Sequence, residues 1–330
     1  TFVSILSACV CQDDLNEGKE IHQCIKTSNL DFDVVLSNAL ISMYGRCGGL
    51  VDARDVFDIM SERNVVSWNA MIGAYVKNGE GQEALILGSR MYEHMLPDDV
   101  TWVTLLDASA RLCTSTHGKR VHCCTLDGKL KSNITLANAL VHMYGRCGHL
   151  DDAIKVFDDM NVHNETSWNA LISIFVGNGQ IFKAVDLFCH MKQEGTIPNK
   201  ITFVSVLSAC ASDQHLLASG KILHVSAIAC EFESDIVVAT ALVNMYGKFL
   251  YLDYAMEIFY KMPEHNLVCF TAVISIFAQN GQPNDAVALF NSINDKCDVI
   301  LWNSVISSFV QNGQENRALA MFEQMLHEGI

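Results

Sequence analysis

Thirteen cysteines and twelve histidines carry the most reactive side chains in this sequence, so their spacing decides what chemistry is open to them. No Cys-x-x-Cys occurs, the cysteine count is odd, and His and Cys do not fall at zinc-ligand separations. A zinc deaminase needs a His-x-Glu followed by a Cys-x-x-Cys, and that pattern is missing. Cys123 and Cys124 are adjacent and cannot form an ordinary disulfide with each other. Most of the others recur at matching places: Cys9 and Cys210 in "LSAC", Cys47 and Cys147 in "YGRCG". They read as small buried thiols of a reducing compartment. One His/Lys pattern, GK-x-x-H, recurs at Gly18–His22, Gly118–His122 and Gly220–His224. It lacks the preceding strand and glycine spacing of a phosphate loop, and three histidines about a hundred residues apart cannot share a metal. Packing in or between repeats is its reading. No catalytic residue, metal or cofactor is expected, and the chain reads as something other than an enzyme.

A quieter set of polar residues is far more regular. Asn38, Asn69, Asn138, Asn169 and Asn303 fall at one recurring place, where Thr240 and Thr271 substitute for Asn. Asn64, Asp98, Asn164, Asn199, Asn266 and Asp298 fall at another. Amides, hydroxyls and carboxylates hold hydrogen-bond donors and acceptors in fixed directions, which suits recognition rather than bond-breaking.

The elements that position them follow from internal repetition, which is the first thing to seek in a chain of this kind. The segment beginning at Ser37 returns at Ala137 and, more weakly, at Ala239, giving a long period of about 100 residues. Each period divides into three units, cut here at 1–33, 34–64, 65–98, 99–133, 134–164, 165–199, 200–235, 236–266, 267–298 and 299–330, the first and last incomplete. In unit 34–64, Leu36, Ala39, Leu40, Met43 and Tyr44 keep helical spacing, and Ala53, Val56, Phe57 and Met60 do so again after Gly48. Each unit therefore predicts two amphipathic helices, A and B, separated by a glycine turn. Gly48, Gly79, Gly148, Gly179, Gly281 and Gly313 hold the turn, and Ala53, Ala84, Ala153, Ala184, Ala255, Ala286 and Ala318 follow five places later. Phe57, Phe157, Phe188, Phe259, Phe290 and Phe322, then Met60, Met91, Met160, Met191, Met262 and Met325, complete an apolar stripe read as core. Gly88 and Leu250 break these series, which predicts local softness there.

A helix pair alone cannot bury its apolar face, whereas stacked pairs share one continuous core. The fold class is thus all-α: a single α-solenoid of about ten helix-turn-helix repeats over residues 1–330, right-handed by analogy. The chain holds only 4 prolines and is 50% hydrophobic, so disorder and linkers are excluded. No 18-residue apolar run suggests a membrane span. The sequence opens at Thr1 inside a repeat, so any targeting peptide is expected upstream. A net charge of −15 argues mildly against nucleic acid, but the acids concentrate in helix B, for example Asp52, Asp55, Asp58, Asp151, Asp152, Asp158 and Asp159.

These units resemble the pentatricopeptide repeat family, and their alternation resembles its plant PLS subclass. Units 34–64, 134–164 and 236–266, with "MYGRCG" or "MYGK", look like S motifs; 65–98 and 165–199, with "SWNA", look like P motifs; 1–33, 99–133 and 200–235 look like L motifs. The last two units resemble a shortened S and a truncated P motif. The resemblance implies single-stranded RNA binding, one nucleotide per repeat, with the fifth and last residues of each unit reading the base edge. The base-reading residues would be Asn38 with Asn64, Asn69 with Asp98, Asn138 with Asn164, Asn169 with Asn199, Thr240 with Asn266, Thr271 with Asp298, and Asn303 without its partner. The family's code makes Asn–Asn pyrimidine, Asn–Asp uracil, Thr–Asn adenine and Thr–Asp guanine. Val3, Val103 and Val204, paired with Asp33, Asn133 and Asp235, are unread because valine forms no hydrogen bond to a base. Fifth places are expected in the first turn of helix A, and last places just before the next helix A, where Asn64, Asn164 and Asn266 could equally serve as helix caps. Arg46, Lys77, Arg146 and Lys248, at the thirteenth place, could face RNA phosphates or complement a helix dipole.

The resemblance further implies an organellar transcript as partner, in mitochondrion or chloroplast, and a role in RNA processing or cytidine-to-uridine editing. This part would do the targeting, with editing factors or a C-terminal deaminase-like domain supplying the chemistry. A protein-binding scaffold similar to tetratricopeptide arrays is the rival reading. The acidic balance suits it and the recurring polar pairs speak against it.

Overall fold

The computed structural model describes residues 2–28, 33–125, 133–293 and 298–330, the side chains of residues 124, 125 and 214 apart. Cys124 and Cys297 therefore lie outside the described side chains. Among the described residues there are twenty α-helices and no strand. The chain divides into two compact units, Thr1–Ile174 and Phe175–Ile330, and the division falls inside a helix rather than at a repeat boundary.

In the first unit α1 (Phe2–Ala8) and α2 (Leu15–Thr27) form one pair. They are followed by α3 (Val34–Arg46) with α4 (Leu50–Ile59), α5 (Val65–Lys77) with α6 (Gly81–His94), α7 (Asp99–Arg111) with α8 (Ser115–Thr125), and α9 (Ile134–Arg146) with α10 (Leu150–Asp158). Helices α3, α5, α7 and α9 pack successively against one another as one layer, and each also packs on its own B helix. The division between the units falls in α11 (Glu165–Gly177). The second unit continues with α12 (Ile181–Gln193), α13 (Lys200–Cys210), α14 (Leu217–Ala229), α15 (Ile236–Lys248), α16 (Leu252–Lys261), α17 (Leu267–Gln279), α18 (Pro283–Ser292), α19 (Val299–Gln311) and α20 (Glu315–His327). There α13, α15, α17 and α19 form the corresponding layer.

The predicted stripe is the core. Ala53, Ala84, Ala153, Ala184, Ala255 and Ala286 are at most 1% exposed, because helix B crosses helix A where only a methyl group fits. Phe57, Phe157, Phe188, Phe259 and Phe290 are buried behind them, but Phe322 on α20 is 47% exposed, so the expected core place does not hold there. The six turn glycines all adopt positive φ, from 65° to 84°. Leu250 takes the same left-handed conformation at φ 65°, where an L side chain is strained. At Gly88 the side chain of Leu105 closes on the bare backbone, where a Cβ would meet it.

The GK-x-x-H motif is a joint between units. His22, His122 and His224 meet the hydroxyls of Tyr44, Tyr144 and Tyr246 at 2.8, 2.9 and 2.9 Å. The bare backbones of Gly18, Gly118 and Gly220 receive Met43, Met143 and Met245 from the next helix A. The cysteines are less uniformly buried than expected: Cys11, Cys24, Cys113 and Cys123 are exposed.

Candidate nucleic-acid interface

Each helix A after the first starts on a polar side chain at the last place of the preceding unit. Asp33, Asn64, Asp98, Asn133, Asn164, Asn199, Asp235, Asn266 and Asp298 each use one oxygen to accept a backbone N–H from the first turn beyond them. They are helix caps, as the sequence allowed. Capping consumes Oδ1 alone. An asparagine is left with its amide N–H groups as donors, and an aspartate with its second oxygen as an acceptor. The identity of the cap thus decides the polarity of what remains at the helix entrance.

The fifth residue sits one turn above the cap, at the start of the second turn rather than in the first, because each helix A begins at the first place of its unit. In unit 65–98 the pair closes: Asn69 Nδ2 donates to Asp98 Oδ1 at 3.0 Å, and the Thr101 hydroxyl donates to Asn69 Oδ1 at 2.6 Å. In unit 34–64, Asn38 Nδ2 reaches Asn64 Oδ1 at 3.5 Å, and the Ser67 hydroxyl donates to the same oxygen at 3.1 Å. Asn38 Oδ1 and Asn138 Oδ1 are buried without a hydrogen-bond partner. Asn164 caps α11 through Ser167, and Asn199 caps α13 through Thr202. Asn169 is half-buried on α11. Thr240 donates to Ile236 O at 2.6 Å and touches Cys269 Sγ at 3.0 Å; Thr271 donates to Leu267 O at 2.7 Å. Asn303 is exposed on α19.

Burial works against charge on Asp98. The backbone of Thr101, the amide of Asn69 and the Thr101 hydroxyl outweigh it and hold the carboxyl below the usual carboxylate range. The L-like units differ. Two of their caps spend the second polar atom on the protein: Asn133 Nδ2 donates to Asp99 Oδ2 at 2.8 Å, and Asp235 Oδ2 pairs with Lys200 at 2.8 Å.

Of the four cations, Lys77, Arg146 and Lys248 end their helices exposed. Arg46 is occupied otherwise. Its guanidinium donates to Leu6 O at 2.8 Å and Cys9 O at 3.1 Å, satisfying carbonyls at the end of α1.

Sequence reasoning missed an apolar series. Val35, Val66, Val100, Ile201, Val237, Val268 and Ile300, at the second place of their units, are 55–64% exposed two residues past the caps. The signal was their recurrence; helical periodicity hid it, because a single β-branched residue near a helix start passes as ordinary packing. Among the described residues no group of three or more His, Cys, Asp or Glu could hold a metal ion, and no helix is long and apolar enough to cross a membrane.

The PPR repeat pattern matches residues 35–65, 136–164, 237–267, 268–297 and 300–330, and that of the PPR repeat family matches 63–111 and 163–212. A chloroplastic pentatricopeptide repeat-containing protein of Arabidopsis thaliana is 34% identical over 290 residues, covering 88% of this chain and 47% of its own length. A mitochondrial relative from the same plant is 33% identical over 297 residues, 89% of this chain and 38% of its own. The chain thus spans less than half the length of these relatives. The fold is similar to that of the maize pentatricopeptide repeat protein PPR10, solved in complex with an 18-nt psaJ RNA element, at a TM-score of 0.66 and 16% identity over 94% of this chain and 47% of that one. The repeat patterns together match well over half of the sequence, and the chain belongs to the PPR repeat family.

Proposed function

We propose that this chain binds single-stranded RNA, one nucleotide per unit, as the targeting part of an organellar RNA-processing protein of the PLS type. The observation that carries the reading is the atom each cap leaves over. Asp98 and Asp298 offer a carboxylate oxygen, which complements the N3–H of uracil or the N1–H of guanine. Asn64, Asn164 and Asn266 offer an amide N–H, which complements N3 of cytosine or N1 of adenine; Asn199 would read with Asn169 by the same code. The fifth residue then separates the larger bases from the smaller, with Asn at pyrimidine-reading units and Thr at purine-reading ones. The exposed valines and isoleucines at the second place supply apolar surface for the base faces. Lys77, Arg146 and Lys248 are the cations available to phosphates.

Units 34–64 to 267–298 would read pyrimidine, uracil, unread, pyrimidine, pyrimidine, unread, adenine, guanine, with the N-terminal units toward the 5′ end. Units 99–133 and 200–235 stay unread for two reasons: a valine at the fifth place, and a cap whose remaining atom is tied to Asp99 or Lys200. The chloroplastic and mitochondrial relatives support an organellar site of action. Editing or other processing chemistry would come from a partner or another domain. Selection from a random RNA pool tests the reading. The expected enrichment is this eight-place order, and Thr240→Asn should change adenine to a pyrimidine at one place only. A pool that enriches no order, or a variant that alters several places together, rejects it.

A further inference from the structure

The caps fall into two conformational classes. At Asn64, Asp98, Asn199 and Asn266 the cap ψ is 176°, −179°, −177° and 174°; at Asp33, Asn133, Asp235 and Asp298 it is 120°, 89°, 123° and 119°. What separates them is the third residue of the following helix. The first class is followed by Ser67, Thr101, Thr202 and Cys269, the second by Leu36, Leu136, Val238 and Leu301. A hydroxyl at that place accepts the cap's own N–H, as Ser67 does at 3.2 Å, Thr101 at 3.3 Å and Thr202 at 3.1 Å, while the cap accepts the third residue's N–H. Ser167 does the same for Asn164, at 3.4 Å. This reciprocal box accompanies the extended cap at Asn64, Asp98 and Asn199, while Asn266 is extended with only the Cys269 N–H on its Oδ1, at 3.0 Å, and the Cys269 Sγ turned to Thr240. Leucine or valine cannot close it, and ψ swings by roughly 60–90°. At Asp298 the capped donor then moves forward to Ile300 N, 2.6 Å away.

The hydroxyl does more than cap. Thr101 is fully buried and ties the fifth and last residues of unit 65–98 together. The carboxylate of Asp98 can only accept, so it draws the Asn69 amide nitrogen toward it. Asn69 Oδ1 then takes the Thr101 proton. One amide N–H and one carboxylate oxygen remain, in a fixed donor–acceptor order. With a single exception, polar third residues follow units whose fifth residue is polar, and apolar ones follow the units with Val3, Val103 and Val204. The exception is Thr271, whose unit is followed by Leu301.

We propose that Ser67, Thr101, Ser167, Thr202 and Cys269 are positioning residues for base selection by the unit before each of them, and that unit 267–298, followed by Leu301, selects its base only weakly. The proposal rests on the RNA-reading function above. It assigns specificity to a buried residue of the neighbouring repeat that touches no base.

The test compares affinities for four RNAs that differ only at the nucleotide facing unit 65–98. Thr101→Val keeps the shape and removes the hydroxyl, and uracil preference should fall about tenfold, the upper size of one neutral hydrogen bond. Thr101→Ser should restore it. In the opposite direction, Leu301→Thr should sharpen guanine preference at the nucleotide facing unit 267–298. A purely structural role would weaken binding to all four RNAs alike, and that result overturns the proposal. So does a Thr101→Val protein that still selects uracil as its parent does. If Leu301→Thr fails to fold by circular dichroism, the Thr101 pair decides alone. A parent protein without any base preference removes the RNA-reading function, and this proposal with it. A discriminating parent and an equally discriminating valine variant remove this proposal only.

Discussion

Units 65–98 and 99–133 are neighbours with nearly the same helices, yet they spend their polar atoms in opposite ways. In the first, Asn69, Asp98 and Thr101 lock one another and leave a donor and an acceptor at the helix entrance. In the second, Val103 offers nothing, and Asn133 turns its amide onto Asp99. Its distinctive residues face the next repeat instead: Gly118 receives Met143, and His122 meets Tyr144 at 2.9 Å. One unit is built to present polar atoms, the other to join its neighbours. A uniform repeat architecture thus divides its labour through three or four positions per unit.

The comparison breaks most visibly at the caps. Asp98→Asn keeps the helix cap and replaces the leftover acceptor by a donor. Preference at that nucleotide should move from uracil to cytosine by about 1–3 kcal/mol, the scale of one base contact. The reverse change in the joining unit, Asn133→Asp, should leave every base preference unaltered, because Val103 still makes no contact. Binding to RNAs varied one nucleotide at a time checks both. A response at the nucleotide facing unit 99–133 would end the distinction between the two unit types.

Breaking the joining unit should cost stability and not specificity. A side chain at Gly118 has to displace Met143, which is fully buried. Gly118→Val should therefore destabilise the chain by roughly 1–3 kcal/mol through overpacking and a β-branched residue within α8. The selected RNA order should stay that of the parent. Thermal melts and a repeat selection measure the two quantities on one protein.

Much of this division was legible in residue types and spacing. The paired helices, the left-handed turn glycines and the buried Ala, Phe and Met stripe all follow from periods that local physics imposes. Paired asparagines stood out because nothing in helix packing asks for them. Other features were hidden because they depend on what lies across a helix interface. Arg46 shares its place with Lys77 and Lys248, and only the structure reveals the carbonyls of Leu6 and Cys9 beneath it. Cys113, expected buried, is exposed and itself takes the left-handed conformation at φ 52° beyond the end of α7. The alternation of Ser67 and Thr101 with Leu36 and Leu136 was written in the sequence. It gains meaning only beside the cap angles.

Electrostatics sharpens the comparison by a smaller amount. Replacing Lys77, Arg146 and Lys248 together by Gln should flatten the log–log dependence of RNA affinity on salt by about 0.7 for each phosphate no longer neutralised. Arg46→Gln belongs to a different class. Its partners are carbonyl groups of α1, so it should lower the melting temperature and leave the slope nearly unchanged. A slope that responds to Arg46 as strongly as to Lys77 would return it to the phosphate path.

The smallest effect concerns the joints at low pH. Burial pushes the imidazoles of His122 and His224 below the ordinary histidine range; Asp152 and Asp159 oppose this at His122, while at His224 Glu233 and Glu257 oppose it and Lys261 reinforces it. The tyrosine partner stays protonated, since burial raises the Tyr144 pKa to about 12. At neutral pH each ring is uncharged and can accept the tyrosine proton at Nδ1. The folded pKa is depressed relative to the unfolded one, so the unfolded chain takes up a proton first as pH falls below about 6.5. The stability these joints contribute is therefore fully present above that pH and is lost progressively on acidification toward the folded value. The melting temperature should fall between pH 7 and pH 5.5, before the carboxylates titrate. His122→Gln, which keeps a polar side chain against Tyr144 without titrating, should make that fall shallower. An unchanged pH dependence would place the acid sensitivity elsewhere, in His117 or His142, whose imidazoles burial also holds low. The joints would then be packing contacts alone.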